Sequence, residues 1–171
     1  MVVLTMKTPL IASLFIAAGL LAGCSKPATA PATPAAAAAA AAAAGPRTIN
    51  IQANDTMKYD VTRIEAAPGE ELKVVLTNVG TQPKAVMGHN WILLKGGSDA
   101  LAFVTAAINS KDTGYIPPAL KDEIIAHIEQ LGPKESGEVT FKAPMEPGEY
   151  QYFCSFPAHY QVGMKGVLVV K

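Results

Sequence analysis

The chain has 171 residues, with 14 basic and 14 acidic side chains and an apolar share of 50% that is inflated by the N-terminal segment and an alanine run. With Lys7 and Lys26 set aside, residues 47–171 hold 12 basic and 14 acidic residues, net −2. That length is one ordinary domain, and that charge leaves no electrostatic footprint for nucleic acid.

The N-terminus reads as an export signal. Lys7 precedes an apolar run from Pro9 to Ala22, followed by small residues and Cys24. Charge, apolar core and small residues in that order mark a secretory signal, and the run is too short to span a bilayer comfortably. Met6 is an equally good start. Leu21-Ala22-Gly23-Cys24 resembles the lipobox of bacterial lipoproteins, which implies cleavage before Cys24 and acylation of its thiol. An ordinary signal peptide with an incidental cysteine is the alternative. Ser25 stands where an aspartate commonly retains lipoproteins at the inner membrane, which points to the outer membrane. The outer face of the cytoplasmic membrane is the other site. In both cases the domain faces the periplasm or the cell surface.

Residues 25–46, "SKPATAPATPAAAAAAAAAAGP", carry one charge and ten consecutive alanines. Such a composition cannot build a core, and so short an isolated helix is marginal in water. The segment reads as a tether reaching up to roughly 60 Å if extended. The expected organisation is signal peptide 1–23, lipidated cysteine and tether 24–46, and one domain 47–171.

Within the domain, period and punctuation suggest strands at 47–54, 59–66, 71–79, 90–95, 137–143, 148–154 and 165–171. Many short strands separated by turn signals argue for an all-β sandwich or barrel. Between the fourth and fifth lies a helical insertion. "SDALAFVTAAINS" has Ser98 as its N-cap candidate. "PPALKDEIIAHIEQLGP" starts a second helix at Pro118, places Leu120, Ile124, Ile128 and Leu131 on one stripe and stops at Gly132-Pro133. His127 lies at the stripe's edge and reads as a half-exposed surface histidine.

The chain has two cysteines. If Cys24 is acylated, Cys154 is left unpaired in an exported protein, where free thiols need an explanation: an inert buried thiol, a nucleophile or a metal ligand. In "YFCSFPAHYQVGMKG", Cys154, His159 and Met164 follow one another at equal steps in a loop between two strands. Thiolate, imidazole and a weak thioether suit copper that cycles between Cu(I) and Cu(II), given a second imidazole. His89, in "AVMGHNWILL", is the natural donor, because His127 sits mid-helix with no ligand near it. Singly, each residue has a plain structural reading as core or packed side chain.

These segments resemble the cupredoxins, in particular the azurin and auracyanin branch. "NIQANDTMKYD" is similar to azurin's first strand and turn. "AVMGHNW" is similar to the segment carrying azurin's first histidine ligand. "SGEVTF", "YQYFCSFPAH" and "GMKGVLVVK" are similar to its last three strands. The resemblance implies an eight-stranded Greek-key β-sandwich with one type 1 (blue) copper, which shuttles single electrons and is not an enzyme. His89, Cys154 and His159 would be equatorial ligands, Met164 the axial one, and the Gly88 carbonyl a weak contact opposite. Asn90 would hold the ligand loop and temper the thiolate. Met57, Met87, Phe156, Pro157 and Ala158 would form an apolar docking patch around an exposed edge of His159. Four residues separate His159 from Met164, as in auracyanins, where azurins have three; azurin's disulfide cannot form here. Asn78 replaces the pH-sensitive histidine of some azurins, so no such coupling is expected. The implied partners are redox proteins such as cytochromes or membrane oxidoreductases, met by a monomeric domain.

Four other readings compete. They are an exported copper chaperone or storage lipoprotein, a structural zinc site (for which methionine is a poor ligand), a thiol hydrolase using Cys154 and His159, and a metal-free structural lipoprotein.

Overall fold

The computed structural model describes residues 45–171. The signal peptide, Cys24 and nearly all of the tether lie outside the described residues. Among the described residues, no helix is long and apolar enough to cross a membrane.

Among the described residues, nine strands form two sheets. They are β1 (Arg47–Asn54), β2 (Lys58–Tyr59), β3 (Arg63–Ala66), β4 (Glu71–Asn78), β5 (His89–Leu94), β6 (Ile124–Leu131), β7 (Ser136–Lys142), β8 (Gly148–Phe153) and β9 (Lys165–Val170). The first sheet has the order β2-β1-β4-β7 and the second β3-β9-β8-β5-β6. The pairs β1–β4 and β3–β9 are parallel and the others antiparallel. Helix α1 (Lys84–Met87) leads into β5, and α2 (Ala100–Ala107) lies in the insertion between β5 and β6. The all-β sandwich with a short helical insertion is thus the observed fold, with one strand only two residues long.

Alternation builds the core. In β4, Leu72, Val74 and Leu76 are fully buried, while the residues between them are exposed or half-buried. Burying each such side chain contributes about 1.5–3 kcal/mol relative to exposure. Between the sheets they meet Ile51, Trp91, Leu93, Tyr152 and Leu168, and Cys154 and Met164 belong to the same cluster. A second, smaller cluster sits under the insertion, where Phe103 and Val104 of α2 pack on Ile92, Leu94 and Phe153.

Three sequence expectations are corrected. The segment 59–66 is two strands: Tyr59 pairs with Ala53 of β1, whereas Arg63 pairs with Val167 of β9. The chain crosses from one sheet to the other at residues 60–62. The N-cap of α2 is Asp99 and not Ser98; its Oδ1 accepts the N–H groups of Leu101 at 2.9 Å and Ala102 at 3.0 Å, satisfying two otherwise unpaired donors. The second helix does not exist as such. Pro118–Glu123 is a 3-10 turn, and Ile124–Leu131 is β6. Within it Ala126 and Ile128 face inward and His127 and Glu129 outward, a period of two set by antiparallel pairing with β5. His127 is half-exposed as expected, but on a strand, with Nε2 3.1 Å from Glu129 Oε1.

Candidate metal centre

Strand ends at one pole of the sandwich converge on the site. His89 opens β5 and pairs with Leu131 at the end of β6. Cys154 follows β8, and Met164 precedes β9. Between them the loop folds back on itself: the Cys154 N–H donates to the Met164 carbonyl at 3.1 Å and the Met164 N–H to the His159 carbonyl at 2.9 Å. A further bond, His159 N–H to Phe156 carbonyl, closes a tight turn at 3.1 Å. The spacing of Cys154, His159 and Met164 therefore becomes spatial adjacency through main-chain bonds.

One ligand atom each from His89, Cys154 and His159 lies within 4.8 Å of the others, and all three residues are buried. Cys154 Sγ is 3.4 Å from His159 Nδ1, and the two imidazole centroids are 5.0 Å apart. Met164 is fully buried in the cluster that contains Cys154. Neither nitrogen of His89 has a hydrogen-bond partner of normal geometry, although the Asn54 carbonyl faces the ring. Buried polar atoms are nearly always paired, so an orphaned imidazole nitrogen beside a thiol and a second imidazole fits a metal ion as its missing partner. A soft thiolate, two imidazoles and a thioether are a donor set for copper.

Burial sets the electrostatics. It pushes the Cys154 thiol up to about 12, against the pull of backbone N–H groups of Asn90 and Phe156 that face the sulfur. Burial, with His89 nearby, holds His159 down at about 4. His89 is also lowered, chiefly by burial, with Asp55 and the Asn54 carbonyl opposing. In the metal-free protein both histidines are therefore neutral and ready to ligate at pH 7. Between pH 6.5 and about 4 the unfolded chain binds a proton at His159 that the folded chain refuses, so acid destabilises the fold. The metal-free protein should lose about 3 kcal/mol from His159 alone as pH falls through that window, and little more below it. Urea unfolding at pH 7.5, 5 and 4 measures this; a flat profile would contradict it.

Asn90 is a fully used hub. Its Oδ1 accepts the Ser155 N–H at 2.8 Å, and its Nδ2 donates to Ser155 Oγ at 2.8 Å and to the Gly114 carbonyl at 3.3 Å. Ser155 Oγ donates onward to the Tyr115 carbonyl at 2.6 Å. The residue after one ligand is thus tied to the residue after another, and both to the insertion. Ser155 and Tyr115 were not singled out from sequence. Ser155 is adjacent to the thiol, but Tyr115 (φ 63°) gave no local sign.

Of the residues expected to form an apolar patch, Met57, Met87, Phe156 and Pro157 are half-buried and Ala158 is exposed. His159 has no exposed edge, contrary to expectation; it is 1% exposed, with the Phe156 ring 4.7 Å from its own. Tyr115 in turn packs on Phe156 at 4.9 Å. Gly88 is buried, and a Cβ there would lie 2.6 Å from the Lys84 carbonyl oxygen, so the approach to His89 requires glycine.

A two-sheet β-sandwich with a buried Cys-His-His-Met cluster between loops at one pole defines a blue copper protein. Residues 47–171 match the copper binding proteins of the plastocyanin/azurin family, and the chain belongs to that family, with copper as its cofactor. It is 46% identical over 94 residues to auracyanin-B of Chloroflexus aurantiacus, covering 54% of this chain and 37% of that protein. The chain thus spans well under half of that relative. Outer membrane protein H.8 of Neisseria meningitidis is 33% identical over 111 residues, covering 64% of this chain and 60% of its own length. The crystal structure of dithionite-reduced auracyanin from the photosynthetic bacterium Roseiflexus castenholzii superposes with a TM-score of 0.65 at 35% identity. That likeness covers 74% of this chain and 99% of the other.

Proposed function

We propose that this protein is a membrane-anchored carrier of single electrons. The observation that carries the reading is the buried convergence of His89, Cys154 and His159 ligand atoms within 4.8 Å. Copper, when bound, supplies a one-electron Cu(II)/Cu(I) couple. His89, Cys154, His159 and Met164 would hold it, with the Gly88 carbonyl as a weak further donor. The stiff sandwich keeps these donors in place in both oxidation states, and the apolar shell keeps water out. The four side chains would surround the metal, and their burial leaves substrate no approach, which favours transfer over catalysis. Met57, Met87, Phe156, Pro157 and Ala158 form the surface where a redox protein docks briefly, coupling to His159 through the ring of Phe156.

Export and lipidation at Cys24 complete the proposal, with residues 24–46 as a tether holding the domain near membrane partners and raising their effective concentration. An envelope location is supported by the signal-like N-terminus and by the likeness to a protein called an outer membrane protein.

The test is the visible spectrum after addition of Cu(II), beside Cys154→Ser. The expected result is an intense thiolate-to-copper band that bleaches reversibly with ascorbate and is absent in Cys154→Ser. A colourless protein that binds Cu(I) tightly would replace this reading with copper storage or chaperoning.

A further inference from the structure

The β5–β6 ladder is interrupted at the residue beside the ligand His89. His89 pairs with Leu131 and Trp91 with Ile128, so Glu129 and Gln130 of β6 together stand opposite Asn90 alone, a bulge whose extra residue lies on β6. On the other side, β5 meets β8 only from Ile92 onward, opposite Phe153. The carbonyl of Asn90, a fully buried residue, lies at this break in the ladder. Its partner is supplied from the opposite sheet, where the Tyr59 hydroxyl donates to it. Tyr59 is buried and lies on the two-residue strand β2, fixed by pairing with Ala53 and packed on the Tyr152 ring at 6.0 Å.

Every polar group of Asn90 then has a defined partner. The side chain holds Ser155 and Gly114, the N–H faces the Cys154 sulfur, and the carbonyl is held by Tyr59. Only the Tyr59 bond comes from outside the ligand-bearing sheet, its loops and the insertion. A bulge disrupts the ladder locally, and bulges beside functional sites re-aim groups. A donor to the carbonyl restricts rotation of the residue and hence the direction of its N–H.

We propose that Tyr59 is a positioning residue for the redox centre, its phenol holding the Asn90 peptide so that the Asn90 N–H stays on the Cys154 sulfur. This rests on the blue copper reading above. An N–H donor draws electron density from the sulfur, which favours the reduced metal and raises the potential; hydrogen bonding around the thiolate is a recognised tuning element.

The experiment uses the full chain in detergent, loaded with Cu(II), and compares wild type with Tyr59→Phe, Tyr152→Phe and a form carrying 3-fluorotyrosine at position 59. Tyr152 is the control, because its buried hydroxyl also donates to a backbone carbonyl, that of Val61 at 2.9 Å, away from the ligands. The expected result is a lowered midpoint potential and a displaced thiolate band in Tyr59→Phe. The fluorinated phenol, a stronger donor that preserves the fold, should shift the potential the opposite way. Tyr152→Phe should lose stability with the potential unmoved. A potential unchanged in both position-59 variants, or shifted equally in Tyr152→Phe, would overturn the proposal and leave Tyr59 a packing residue. A wild type without the thiolate band would instead refute the copper reading on which it rests.

Discussion

Replacing Trp91 by alanine is expected to lower the unfolding free energy by about 3–5 kcal/mol, the range for deleting a large buried aromatic. Trp91 is fully buried between the sheets, with its ring 5.5 Å from that of Tyr152 and 6.0 Å from that of Phe141. Those neighbours come from β8 and β7, so the cavity would open across the interface of the two sheets, where rigid strands cannot collapse into it. The indole Nε1 makes no hydrogen bond. Trp91→Phe should therefore cost much less, because it removes volume but also an unsatisfied buried donor. Denaturant unfolding of the two variants reads the difference. Similar losses in both would mean that the indole N–H has a partner.

Asn90→Ala should combine a stability loss of about 3 kcal/mol with a disturbed metal centre. The substitution leaves the Ser155 N–H and the Gly114 carbonyl without their partner, and each stranded buried group costs about 1–3 kcal/mol. Ser155 Oγ retains its bond to the Tyr115 carbonyl, so the insertion stays docked while the ligand loop loosens. The expected signature is a weakened or displaced thiolate-to-copper band, together with faster copper loss to a chelator. Asn90→Ala with a wild-type spectrum would show that main-chain bonds alone fix the Cys154 loop.

The pattern of what sequence shows and hides is physical. Cys154, His159 and Met164 could be read together because one short loop between two strands carries all three, and local main-chain bonds do the rest. The strands β1 and β4 were legible because each alternates cleanly against a solvated face. Strand β6 was not. Its Ile124, Ile128 and Leu131 recur at helical spacing while Ala126 and Ile128 alternate, so periodicity alone supports both structures. Pairing with β5 decides it, and the paired residues lie 30 (Leu94 and Ile124) to 42 (His89 and Leu131) positions apart in sequence. The burial of His159 was hidden for a similar reason, since it depends on Phe156 packing over the ring and Tyr115 of the insertion backing Phe156.

The sequence by itself therefore determined the chemistry: one unpaired thiol, a histidine and a methionine at loop spacing, and a second histidine at a strand entrance. Alternation also determined an all-β sandwich or barrel, and the resemblance to the cupredoxins singled out the sandwich. Only the tertiary structure decided how the site is held. Asn90 sits opposite a bulge of β6, and its carbonyl is caught by Tyr59, 31 residues earlier in the chain and in the other sheet. Such a contact leaves no periodic trace, because its two residues belong to strands whose own patterns are complete without it.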